Sequence, residues 1–183
     1  MFKFSTPFFI LACAVLLFSN LFENATFAEN IQNINWNTIN YEDDKRKITT
    51  KLPGDKLPQE WLICEKTSFG SIYNNVWYSL SVSIDENFNP GTLEERIKGL
   101  ENIAAENKLP KPNITIIEAN HPNVLYSLEI KSIDKIRPRL HHISRIFTTA
   151  KTSYFFHICY FDALTSKDFQ VIDEILESMQ FEK

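Results

Sequence analysis

The chain has 183 residues, a formal net charge of −4, 44% hydrophobic residues and only four glycines. An acidic balance argues against general nucleic-acid binding, and glycines confined to positions 54, 70, 91 and 99 leave no glycine-rich phosphate loop. Catalytic signatures are missing too: the sequence holds no Gly-x-Ser-x-Gly, no His-Glu-x-x-His and no Cys-x-x-Cys.

Residues 1–28 read as a secretory signal peptide. Lys3 supplies a positive start, residues 8–18 a continuous apolar run, and Thr26-Phe27-Ala28 a small-residue cleavage site. The apolar run falls short of the roughly 18–20 residues that cross a bilayer comfortably. Ile10-Leu11-Ala12-Cys13 partly matches a lipoprotein box, but the bulk of Leu11 and the apolar residues beyond Cys13 favour ordinary cleavage near Ala28 over lipid anchoring at Cys13. The remainder, 29–183, has the length of a single domain and contains no second apolar span, so a periplasmic or secreted protein is expected.

Residues 34–41 and 48–52 are expected as the first two strands, with the mixed-charge run 42–47 as a solvated turn and Pro53-Gly54 as a stop. A third strand is placed over 61–67, carrying Cys64. Val76, Tyr78, Leu80, Val82 and Ile84 then alternate with Trp77, Ser79, Ser81 and Ser83, the pattern of a half-buried strand. After Asn89-Pro90-Gly91, Thr92-x-x-Glu95 is a capping box, and Leu93, Ile97, Leu100 and Ala104 make one helix face up to Pro110 and Pro112. Glu94 and Glu95 complement the helix amides and are not a catalytic carboxylate pair. Strands follow at 114–118 and 124–130 around the turn Asn120-His121-Pro122-Asn123.

From Arg139 the chain carries two strands rich in aromatic and β-branched residues, broken near Lys151 and Thr152. Tyr154, Phe156, Ile158 and Tyr160 occupy one face of the second, and Phe155, His157, Cys159 and Phe161 the other, so this strand is expected at the centre of a sheet covered on both sides. A final helix is expected with Thr165 as N-cap, Asp168 supporting the first turn, and Phe169, Ile172, Leu176 and Met179 as its apolar stripe; Phe181 then pins the chain end.

The expected fold class is therefore α+β: an antiparallel sheet of about six to seven strands covered by two amphipathic helices, an α/β/α sandwich. This order, with aromatic strands leading into Phe169-x-x-Ile172-x-x-Ile175-Leu176-x-Ser178-Met179, resembles the Mog1/PsbP-like family. The resemblance is topological and spans most of residues 29–183. It implies a non-catalytic assembly or accessory factor and transfers no functional residue.

Three groups of residues are candidates for more than packing. Cys64 and Cys159 form a disulfide if the strands bring them together in an oxidising compartment, and are otherwise two buried thiols. If the last hairpin is centred near Lys151, Ile143 faces Cys159, and His141, His157 and Cys159 share a face that suits a soft metal such as zinc or copper. A one-residue register slip would send His141 to the opposite face. Lys131, Lys135, Arg137, Arg139 and Arg145 outnumber Asp134 and suggest a patch for an anionic partner, unless their charges are simply solvated. No cofactor is implied. The functional expectation is an exported, non-enzymatic accessory protein that works by binding a protein or cell-envelope partner, with a small metal- or ligand-binding protein built on the His/Cys hairpin as the alternative.

Overall fold

A computed structural model describes residues 34–182 except 60, 61, 63–66, 108, 119, 135 and 136. The expected signal segment with Cys13, most of the expected strand at 61–67 with Cys64, and Lys135 lie outside the described residues. What is described forms two antiparallel sheets and two helices.

The larger sheet has seven strands in the order β3-β4-β5-β9-β8-β7-β6. β3 is Asp55–Lys56, β4 Ser68–Tyr73 and β5 Val76–Val82; β6 is Asn113–Ile117, β7 Val124–Ile133, β8 Leu140–Thr149 and β9 Ser153–Phe161. Hairpins make four of its six contacts: β4–β5, β6–β7, β7–β8 and β8–β9. β4 itself was not expected. Its signal is Asn74-Asn75: both residues have positive φ, at 51° and 58°, the geometry of a type I′ turn that favours asparagine.

β9 sits at the centre, as its two bulky faces require. On one face Tyr154, Phe156 and Ile158 join Val76, Tyr78, Leu80 and Val82 from β5 and Ile143 and Phe147 from β8 in the main core. That core is closed by α2 (Ser166–Ser178) and by a small sheet of β1 (Trp36–Glu42), β2 (Lys47–Pro53) and β10 (Gln180–Glu182), in the order β1-β2-β10. The helix thus shares the work of covering this face with a second sheet, because Ile48 and Leu52 of β2 carry apolar side chains that are fully buried. Phe181 pairs with Ile48 and packs 4.9 Å from the Tyr154 ring, which does pin the chain end.

Both expected capping boxes form, at Thr92/Glu95 and at Thr165/Asp168. The stripe of α2 differs from expectation: Val171, Ile172 and Ile175 are buried, and Phe169 is 52% exposed. Asp168 turns inward instead, holding Thr165 and receiving a 2.8 Å hydrogen bond from Asn74, and that sets the rotation of the helix. α1 (Leu93–Glu106) covers one end of the opposite face, where Leu100 meets Leu128 and Ile146. A separate cluster of Leu57, Trp77, Leu140 and Cys159 fills the other end.

Candidate functional site

Between those two clusters the opposite face is polar. The β8–β9 register pairs His142 with Cys159, Ser144 with His157 and His141 with Tyr160. The hairpin is therefore one residue out of the register expected, because the turn spans Thr149 to Thr152, where the Thr149 hydroxyl donates to the Thr152 carbonyl and accepts from the Thr152 amide. His141 goes to the main-core side and stacks on Tyr160 at 5.3 Å. The expected trio of His141, His157 and Cys159 does not assemble; His142 takes the place of His141.

His142 and His157 stack with ring centroids 5.3 Å apart, His142 Nδ1 lies 3.3 Å from His157 Nε2, and His157 Nδ1 lies 2.8 Å from the Ser144 hydroxyl. Burial pushes His142 down to about 4, offset in part by Asp134. His157 is also held down by burial, and His142 adds to it. Two imidazoles that stay neutral this firmly are poor general bases at neutral pH. The Cys159 thiol, buried beside Trp77 and Leu140, is pushed up to about 12 and behaves as a small hydrophobe. Among the described residues no three His, Cys, Asp or Glu side chains stand together in a way that could hold a metal ion.

The basic segment is divided by ion pairs. Lys131 and Arg145 both bind Glu129, at 3.0 and 2.7 Å, and Arg139 binds Asp162 with its Nε at 2.6 Å. Burial alone would raise the Glu129 carboxyl, but the hydrogen bonds from Lys131 and Arg145 outweigh it and hold it below its ordinary value. Arg137 lies in the loop before β8, where its backbone amide donates to Asp134 and its Nη1 is buried without a partner among the described residues. Among the described residues, Lys131, Arg139 and Arg145 are held in ion pairs and do not form one free cationic surface.

The chemistry left open lies on the main-core face, beyond the cover of α2. A cleft of about 360 Å³ is lined by Ile117, Glu118, Asn120 and His121 from the end of β6 and the β6–β7 loop, Arg145 and Phe147 from β8, and Leu176 and Glu177 from α2. The loop is fastened in place: His121 packs edge-on against Phe147 and Phe181, and Asn123, with φ at 72°, donates a 2.8 Å hydrogen bond to the Phe181 carbonyl. Burial lowers His121 against a hydrogen bond to the Met179 backbone, so its ring is neutral at pH 7. With Arg145 committed to Glu129, the exposed carboxylates Glu118 and Glu177 give the cleft a negative rim over the apolar surface of Ile117, Phe147 and Leu176. Sequence reasoning assigned these residues to a turn, a strand and a helix face, and no motif joins them.

The architecture is α+β and resembles the Mog1/PsbP-like fold. Two solved structures are similar: the Ran-binding protein Mog1p of Saccharomyces cerevisiae, at 11% identity and a TM-score of 0.48 over 81% of this chain and 96% of that one, and PsbP (CyanoP) of Synechocystis sp. PCC 6803, at 12% identity and a TM-score of 0.48 over 87% and 99%. The likeness is one of fold alone. No family model and no curated protein matches the chain.

Proposed function

We propose that this is an exported, non-enzymatic accessory protein that works by binding, and that the cleft beside α2 receives a basic, partly apolar segment of its partner. The observation that carries this reading is the cleft itself. Its volume lies within the usual range for ligand sites, about 300–1,000 Å³, and it sets two exposed carboxylates above an apolar floor whose only guanidinium is already neutralised. A lysine or arginine with an aliphatic neighbour satisfies both parts: the stem packs on Phe147 and Leu176 while the charge meets Glu118 and Glu177. Export rests on the signal-like residues 1–28, and a mature N-terminus near Glu29 in protein taken from its host is the matching check.

The test uses a short peptide with one lysine between two leucines, and its counterpart with glutamate in place of lysine, followed through the backbone amide resonances of Ile117, His121 and Leu176. The lysine peptide should shift these resonances saturably, the glutamate peptide should not, and reversing Glu118 and Glu177 to lysine should exchange the two results. Equal response to both peptides, or shifts confined to other parts of the sheet, would overturn the assignment.

A further inference from the structure

The large sheet ends differently at its two edges. At one, β3 is only two residues long, and both, Asp55 and Lys56, are charged and exposed. Natural sheets use short, charged edges to prevent strand addition. At the other, β6 reads Asn-Ile-Thr-Ile-Ile, and all five residues pair with β7 without a register shift. It contains no lysine, no proline and no bulge, and among the described residues its outer side pairs with no strand. Ile116 is 59% exposed on it. β1, the long edge of the small sheet, exposes only Thr38, Asn40 and Glu42.

β6 is complementary to itself. Two copies aligned antiparallel about Thr115 place Thr115 opposite Thr115, Ile114 opposite Ile116 twice, and Asn113 opposite Ile117. The faces match as well, since directly opposed residues point to the same side of the joined sheet.

The geometry points to self-association: β6 pairs antiparallel with β6 of a second copy about Thr115, making the two large sheets continuous. The occupant is a second copy of this chain, favoured over an unrelated strand by the reciprocal isoleucine pairs. Ile117 at the end of β6 also lines the cleft, but the pairing is centred on Thr115 and does not depend on the cleft binding a basic segment.

The experiment uses the chain from Glu29 onward, which contains every described element. Sedimentation should show a concentration-dependent dimer, and Ile116→Lys, at an exposed position, should weaken it by about tenfold or more through loss of both isoleucine pairs. Thr115→Cys should give a disulfide-linked dimer on mild oxidation, because directly opposed Cα atoms lie roughly 4.5–5.5 Å apart in an antiparallel pair and a bridge spans about 4.4–6.8 Å. Asn113→Cys, which faces Ile117, should cross-link far less. A wild-type monomer at every concentration, a dimer indifferent to Ile116→Lys, or cross-linking favoured at position 113 would each overturn the pairing; Ile116→Lys protein with an unchanged far-ultraviolet spectrum confirms that its behaviour is not misfolding.

Discussion

The stacked histidines make a prediction about acid stability whose sign and size both follow from their burial. His142 is 5% exposed, and burial holds it at about 4 against an ordinary 6.5. Between those values the unfolded chain binds a proton that the folded chain refuses, so stability falls as the pH drops through that window and is fully present above 6.5. At about 1.36 kcal/mol per pH unit, His142 alone should withdraw about 2 kcal/mol between pH 7 and pH 5, and His157, lowered in the same direction, should add a comparable loss. Asp134 opposes the shift of His142 and His141 reinforces it, while the Cys159 thiol stays protonated throughout. His142→Asn isolates the effect. An asparagine amide reaches roughly where His142 Nδ1 stands, so the contact with His157 Nε2 has a replacement while the titrating ring is gone. Urea unfolding at pH 7, 6 and 5, followed by the fluorescence of tryptophans including the buried Trp77, gives the free energies. The variant should begin less stable at pH 7 and lose about 2 kcal/mol less on the way to pH 5. Parallel curves for the two proteins would refute the reasoning, because they would mean that His142 titrates alike in the folded and unfolded chains.

Two further substitutions probe the backbone and the helix. Gly54 has φ at +76°, and a Cβ there would stand 2.0 Å from the Ile72 carbonyl oxygen. Gly54→Ala should therefore cost at least the roughly 1–2 kcal/mol of a left-handed residue, plus the clash, and lower the thermal midpoint by several degrees; an unchanged midpoint would count against the β2–β3 turn as described. On α2, Phe169→Ser should stay within about 0.5 kcal/mol of wild type, since the ring is 52% exposed, whereas Ile175→Ala, at 0% exposure, should cost about 2–5 kcal/mol. The reverse order in a denaturant titration would show that the helix presents the face expected from sequence.

Helix caps and strand faces followed local signals, whereas the Asn74-Asn75 turn that makes the β4–β5 hairpin did not figure among the expected turns. Both capping boxes formed, because a threonine and an acidic side chain three residues on satisfy free amides whatever lies across the core. The two-sided bulk of residues 154–161 marked β9 as central, because apolar side chains on both faces need cover on both faces. The length and order of the remaining strands led to an α+β antiparallel sheet for the same reason.

Choices between near-equal local alternatives were made elsewhere in the molecule. Sequence allowed the last hairpin two adjacent registers, and a loop closed by Thr149 and Thr152 selected the one that joins His142, in place of His141, to His157 and Cys159. Phe169 and Val171 both fit an apolar stripe, and the Asp168–Asn74 hydrogen bond, reaching 94 residues back along the chain, set which of them is buried. The basic segment looked like a patch until Glu129 on β7 and Asp162 just past β9 paired with Lys131, Arg145 and Arg139. The cleft joins residues 117–121 to 145, 147, 176 and 177, positions linked by no period or motif. Sequence by itself determined both long helices and the strands with clear alternation or two-sided bulk, and which of them must be covered, since those are questions of propensity and burial within a few residues; β4, with Gly70 and two serines, carried no such pattern. Register, rotation and the meeting of distant side chains are differences of a few kcal/mol settled by contacts across the whole chain, and only the tertiary structure decided them.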